Sequence, residues 1–374
     1  MGKVAGICLT SGIYPPESGG PAKFTATFSK WVRDNTDIPV SVVTLTDGAS
    51  SSKIVDGIRI VKISRSQNLV LRYIKTAIAI RKNSSPKIQI LANGLFLETA
   101  LASLLGGRKY FTKIPGDIVW ERARNSGRTS LDIESFQTSK LSFKYKVFRK
   151  AFSYSLKRSK KVIAPSTQLR DMTLNWGIKS EKVHLIFNSI STSKYNVGSS
   201  DFKQYDVLSV CRLVPWKGLD EVIKVCSELG LQLAIAGTGP EMENLKKLAK
   251  NSTVGVEFLG EVSQDTLIRT YQNTKLFVLN SSYEGLPHAL LEARSCGTFS
   301  IANSNTGSAE VISHMKDGLL CGLETGLSLK EALKYAIDNP TFCKEASSLA
   351  RKNTQLLFEL ETNYAKILKV LIDD

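Results

Sequence analysis

With 374 residues, 42% of them hydrophobic and 22% charged, the chain has a globular composition and is longer than one core normally fills, so two domains are expected. No run reaches the ~18 uninterrupted apolar residues of a membrane span, and the six cysteines form no CxxC pair, which predicts neither a zinc site nor a disulfide framework but reduced, buried thiols. The net charge of +16 is unevenly spread: residues 1–200 hold 32 Lys/Arg against 12 Asp/Glu, the remainder 18 against 22. That basic half suits an anionic partner, whether nucleic acid, a membrane surface or a phosphorylated substrate, with solubility alone as the plain alternative. The opening MGKVAGICLTSGIYPPES lacks the small-residue cleavage pattern of a signal peptide.

In chain order, VAGICLT, VSVVTLT, IRIVKIS, KIQILAN, YFTKIPG, KVIAPS and VHLIF read as strands in the first half. Helical patterns such as PAKFTATFSKWVRD and LFLETALASLLG lie between them. The second half repeats the scheme with YDVLSVC, LQLAIAG, VEFLG, KLFVLNS and TFSIAN, separated by helical stretches. Such alternation predicts an α/β fold of two doubly wound, Rossmann-like domains with parallel sheets. The polar, turn-rich stretch 191–204 marks the expected boundary, giving an N-terminal domain over 1–198, a C-terminal domain over 199–355 and a helix over 356–374 packing back on the first domain. Ligands in such folds bind in the cleft beyond the carboxyl ends of the strands.

The loops after those strands carry the candidate chemistry. Gly19 and Gly20 precede a helix, where glycine permits close backbone approach and the helix start favours an anion; this is not GxGxxG, and a plain loop is the alternative. Arg212 and Lys217, in CRLVPWKGLDEV, are two cations suited to a diphosphate, or else a surface pair. Gly237 and Gly239, in AIAGTGPEMENL, make a tight turn that lines a nucleotide pocket or serves the turn alone. In NSSYEGLPHALLEA, Pro287 fits a first helical turn, leaving Gly285 and Leu286 to offer N–H groups to a phosphate. Glu284 precedes that helix and Glu292 follows it. Carboxylates ~12 Å apart are too distant for a glycosidase pair, which needs ~5–9.5 Å, but could hold two hydroxyl-bearing parts of one long ligand.

Taken together, CRLVPWKG, AGTGPE and EGLPHALLE resemble the nucleotide-binding domain of the family 4 retaining glycosyltransferases, which have the GT-B fold, the last segment being similar to their E-x7-E motif. The resemblance covers residues 205–322 well and extends more thinly along the chain. It implies a nucleotide-sugar donor, UDP- or GDP-linked, without a cofactor or a metal. Arg212 and Lys217 would then bind the diphosphate and stabilise the leaving phosphate, Glu284 would contact the transferred sugar, with His288 beside it, and Glu292 would accept from the ribose. Gly285, Leu286, Gly237 and Gly239 would line the donor site, and Gly19 and Gly20 would close on it from the other domain. Where many relatives have a His-Asp pair, this chain reads PGD: Asp117 keeps the acid, with a turn residue as alternative, and Gly116 replaces the His.

The segment 139–161 holds nine Lys/Arg and no acid, interleaved with Phe143, Tyr145, Phe148, Phe152 and Tyr154, and residues 57–97 are also acid-free. A basic, aromatic helix suits an anionic membrane surface, and Arg122, Arg124 and Arg128 suit a phosphorylated acceptor. No nucleic-acid motif is present, so nucleic acid is not the expected partner. The expectation is a cytoplasmic hexosyltransferase at the inner face of the plasma membrane, using a glycan or lipid-linked acceptor in surface-polysaccharide assembly. A soluble transferase acting on a small sugar and a GT-B-like epimerase are the alternatives.

Overall fold

The computed structural model describes residues 4–17, 19–106, 108–198, 203–304 and 307–373. The chain divides into two compact units, one of residues 1–186 with 364–374, the other of 187–363. The expected boundary at 198/199 abuts residues 199–202, which lie outside the described set.

The first unit has an eight-stranded sheet: β1 (Gly6–Ser11), β2 (Val40–Thr46), β3 (Ser51–Val55), β4 (Ile58–Ser64), β5 (Ile88–Ala92), β6 (Phe111–Lys113), β7 (Val162–Ala164) and β8 (Val183–Leu185), in the order β3-β4-β2-β1-β5-β6-β7-β8. Every pair is parallel except β3 with β4, which form an antiparallel edge hairpin. The central strand β1, GICLTS, is buried throughout, as a strand covered by helices on both faces must be. The strand order reverses between β1 and β5, so the loops after these two strands flank the switch point.

The second unit has a six-stranded parallel sheet: β9 (Tyr205–Val210), β10 (Leu233–Ala236), β11 (Val256–Gly260), β12 (Thr274–Leu279), β13 (Phe299–Asn303) and β14 (Leu319–Cys321), in the order β11-β10-β9-β12-β13-β14. Side chains alternate between its two faces with the period of a strand. Val207, Ile235, Val278 and Ile301 enter one core with the helices Leu219–Leu229 and Leu329–Asp338. Leu208, Ala234, Phe277 and Ala302 enter the other, with the helix His288–Ser295. This sheet reverses its order between β9 and β12.

The sequence predicts one helix over 356–374, but two helices meet in this stretch, Pro340–Phe358 and Leu360–Ile372. Glu359 between them is extended, at φ −65° and ψ 133°. Ile190 explains the break: its N–H donates to Phe358 O at 2.9 Å, and Leu360 N–H donates to Ile190 O at 3.0 Å. The last helix then sets Tyr364 edge-on against Phe24 and Phe28, and its hydroxyl meets that of Thr27 at 2.5 Å.

Candidate active site

In the second unit the expected residues gather at the sheet's switch point. Cys211 N–H donates to Ala236 O at 3.1 Å, Leu213 N–H to Thr238 O at 2.9 Å, and Glu241 N–H back to Leu213 O at 3.1 Å. Those bonds lay the loop after β9 against the loop after β10. Gly237 and Gly239 make this possible: a Cβ would stand 2.0 Å from Cys211 O on the former and 2.2 Å from Leu213 O on the latter. Their part is close backbone approach, which only glycine allows here.

The β9 loop is tied to the β12 loop as well. Pro215–Lys217 form one 3-10 turn that ends at Gly218 in the left-handed region, φ 60°. Ser282 N–H donates to Trp216 O at 2.9 Å, and Asn280 Nδ2 donates to Gly218 O at 3.2 Å and to Glu221 at 2.8 Å. This frame brings Lys217 Nζ into an ion pair with Glu284 Oε1, both side chains being largely buried. Arg212, on the same loop as Lys217, is exposed and has no acidic partner among the described residues. Cys211 is held as a neutral thiol: burial pushes it up to about 12, with Glu284 adding to the rise and Lys217 opposing it. A thiol that stays protonated is a poor nucleophile.

Pro287 takes the N-cap position and the helix begins at His288, one residue later than the sequence suggests. Leu286 is buried, and its carbonyl accepts from Asn188 Nδ2 at 3.1 Å. Gly307 N–H donates to Glu284 O at 2.9 Å, and a Cβ on Gly307 would meet Gly285 O at 2.5 Å. Backbones from the loops after β12 and β13 therefore converge on the start of this helix, whose first N–H groups lack intrahelical partners.

Glu292 departs from expectation. Its carboxylate is 4% exposed. Tyr195 Oη donates to Oε1 at 3.0 Å and Tyr271 Oη to Oε2 at 3.1 Å, while Gln264 Nε2 donates to Tyr195 Oη at 3.1 Å. Burial first, and the neighbouring carboxylate second, push the Tyr271 phenol well above its usual 10. A carboxylate in an apolar interior needs such donors, so Glu292 turns inward instead of offering itself to a ribose.

Asp117 needs a similar correction. It is completely buried. Oδ1 caps the helix Ile118–Asn125 by accepting from Val119 N–H at 2.9 Å and Trp120 N–H at 3.2 Å. Oδ2 accepts from Gln137 Nε2 at 2.9 Å and Arg149 at 2.6 Å. These bonds tie three helices together and leave no oxygen turned to a ligand. Elsewhere in this unit Gly19, at φ 146°, is the N-cap of the helix Gly20–Asn35, and both Gly19 and Gly20 are exposed. Arg65, which sequence reasoning missed, fixes the loop before them, donating to Gly12 O at 2.7 Å and pairing with Glu17 at 2.8 Å.

The basic stretch 139–161 is mixed in its use. Phe143, Val147 and Tyr154 of the helix Phe143–Arg158 are exposed. Phe152 is core, Arg149 holds Asp117, and Arg158 Nε donates to Ser103 Oγ at 2.9 Å. The helix Leu69–Lys82 shows the same pairing of apolar and basic groups: Val70, Leu71, Ile74 and Ile78 are exposed, with Lys75, Arg81 and Lys82 among them. Among the described residues no helix is long and apolar enough to cross a membrane.

Residues 194–353 match the family model described as glycosyl transferases group 1. A glycosyltransferase of Haemophilus influenzae, described as uncharacterised, is 31% identical over 39% of this chain and 43% of its own length. Another, of Methanocaldococcus jannaschii, is 26% identical over 66% of this chain and 67% of its own. The aligned part thus spans from about two fifths to two thirds of these relatives' length. Among solved structures, Anabaena HepE in complex with UDP and glucose aligns over 98% of both chains, with a TM-score of 0.77 at 18% identity. At that identity the likeness concerns the fold, which is GT-B: two Rossmann-like α/β units with parallel sheets.

Proposed function

We propose that the chain is a retaining glycosyltransferase of family 4 that takes a nucleotide-sugar donor at the ends of β9, β10 and β12. The carrying observation is the Lys217–Glu284 ion pair, with the uncompensated Arg212 on the same loop as Lys217, set by backbone bonds at the second sheet's switch point. The match of residues 194–353 to glycosyl transferases group 1 supports it. In this reading Arg212 and Lys217 take the charge that builds on the leaving phosphate, a role filled best by fixed cations in a partly desolvated site. Glu284 accepts from a hydroxyl of the transferred hexose, and the helix start at His288 faces a phosphate. Cys211 is not a nucleophile, and the leaving phosphate assists deprotonation of the acceptor in a front-face substitution, without a metal.

The acceptor is a glycan or a lipid-linked glycan, and the site of work is the cytoplasmic face of the plasma membrane, in surface-polysaccharide assembly. The exposed apolar and basic side chains of the helices Leu69–Lys82 and Phe143–Arg158 support this part. At ~1 kcal/mol per cation near an anionic leaflet, a few of them give reversible docking.

A thermal-shift panel of UDP, GDP, ADP and CDP with their sugar conjugates, in EDTA, tests the donor site. A base present at ~100 times its dissociation constant stabilises the folded chain by about 2.7 kcal/mol. UDP or GDP is expected to respond without metal. Folded protein that responds to none of them would overturn the reading.

A further inference from the structure

A cavity of about 720 Å³ lies in the first unit among the helices Ile118–Asn125, Ile133–Thr138 and Phe143–Arg158. Its size is that of a small-molecule site. Three cations, Arg128, Lys140 and Lys144, line it together with hydroxyls such as Thr129, Ser139 and Ser142, and no acid does. None of the three cations has an acidic partner among the described residues. Asp132, the acid nearest to Arg128 in sequence, is spent on its own helix, accepting from Ser135 N–H at 2.7 Å and Ser135 Oγ at 2.8 Å.

The walls are fixed rather than loose. Buried Asp117 clamps all three helices through its own helix start, Gln137 and Arg149. Trp120 Nε1 donates to Leu131 O at 3.0 Å, anchoring the loop that carries Arg128. The hydroxyls of Ser126 and Tyr145 meet at 2.9 Å and join the end of the first helix to the start of the third. The other two arginines of this region are committed elsewhere, Arg122 over the Phe148 ring and Arg124 over the Trp120 ring. Three cations without acidic partners, beside the hydroxyls of Thr129 and Ser142 in a pocket without an acid, match the donor-poor, oxygen-rich surface of a phosphate or diphosphate group.

We propose that this cavity binds a phosphate-bearing part of the acceptor. The proposal rests on the glycosyltransferase reading and narrows its acceptor to a phosphorylated one. The phosphate could belong to a lipid headgroup or to a soluble sugar phosphate, and both present the same oxygens.

Residue-resolved lysine acetylation of the whole chain, read by mass spectrometry, tests it. Inorganic pyrophosphate should slow acetylation of Lys140 and Lys144 by about tenfold, the scale of losing charge-assisted contacts, while Lys75 and Lys82 on the exposed helix stay reactive. Arg128→Gln should abolish this protection at both lysines. A lipid source would add protection by phosphatidylcholine vesicles holding phosphatidic acid, a phosphomonoester, beyond that of vesicles holding equal phosphatidylglycerol. A soluble source would show protection by pyrophosphate and none specific to phosphatidic acid. Equal protection of all exposed lysines, no protection by pyrophosphate, or protection indifferent to Arg128→Gln would overturn the proposal. Lys217 is read in the same digest: its protection by a nucleoside diphosphate, with Lys140 and Lys144 staying reactive under pyrophosphate, would sink the cavity and spare the donor site.

Discussion

Lys217 and Glu284, 67 residues apart, form an ion pair that closes the loops after β9 and β12 onto each other. In this form the ammonium is already neutralised, so a diphosphate must share it with the carboxylate. Glu284→Gln removes the competitor. It is expected to leave nucleoside diphosphate affinity equal or tighter while lowering turnover by ~10²-fold, since the contact proposed to the reacting sugar would be lost. Arg212→Ala should lower both, with unchanged melting, because that side chain is exposed and unpaired. Calorimetric binding beside single-turnover assays separates the two. Equal losses of affinity and turnover in Glu284→Gln would show the pair acting only as scaffold.

Glu292 offers a test of a different kind. Removing its carboxylate takes the acceptor from two buried phenols, and an unsatisfied buried donor costs about 1–3 kcal/mol. Glu292→Ala and the milder Tyr271→Phe are therefore expected to lower stability in urea, and Tyr271→Phe in a Glu292→Ala background should cost less than the sum, because both act on one network. Additive effects, or lost nucleotide affinity at unchanged stability, would return Glu292 to a ribose-binding part.

The uneven fate of the two acids shows what the sequence could and could not carry. The parallel sheets were legible because VSVVTLT is rich in β-branched residues and LQLAIAG is mostly apolar, and their alternation with helices needs no distant information. The edge strand β3, SSKIV, is mostly exposed and lacks that signal. β14, LLC, is enclosed by Gly318 and Gly322, so its short apolar run carries turn signals at both ends. The break at Glu359 comes from Ile190, far away in sequence. The spacing of Glu284 and Glu292 was visible, but the direction of Glu292 is set by Tyr195 and Tyr271 from other elements. Asp117 likewise looked presented to a ligand because Gln137 and Arg149, its partners, lie 20 and 32 residues further on.

Lys113, at the end of β6, is 3% exposed, with Nζ 4.5 Å from the centroid of the Phe24 ring. Burial lowers its ammonium from 10.5 to about 7. Between those values the unfolded chain holds a proton that the folded chain has released. Stability at this site thus rises as pH climbs from about 7 to 10.5, and the full penalty applies below 7. Lys113→Met should stabilise the protein most at low pH, the advantage shrinking as the solution becomes alkaline. Urea denaturation of both proteins at about pH 6, 8 and 10 reads this directly. A constant difference across that range would mean that Lys113 titrates like an exposed lysine.

Two glycines of different units, Gly237 and Gly20, differ in what an added side chain would meet. At Gly237, φ is 128° and an added Cβ would lie 2.0 Å from Cys211 O. The backbone conformation alone costs ~1–3 kcal/mol for a residue with a side chain, and the clash pushes the β10 loop away from the loop that carries Arg212. Gly237→Ala should therefore lower the melting temperature and the nucleoside diphosphate affinity together. Gly20 has nothing within 4 Å of a built Cβ and begins a helix, so Gly20→Ala should leave melting unchanged or raise it, alanine being the better helix former by ~1 kcal/mol. Any loss of transfer in Gly20→Ala is then a loss at the ligand and not in the fold. If Gly237→Ala kept wild-type stability and affinity, the close approach of the β9 and β10 loops would have no part in forming the donor site.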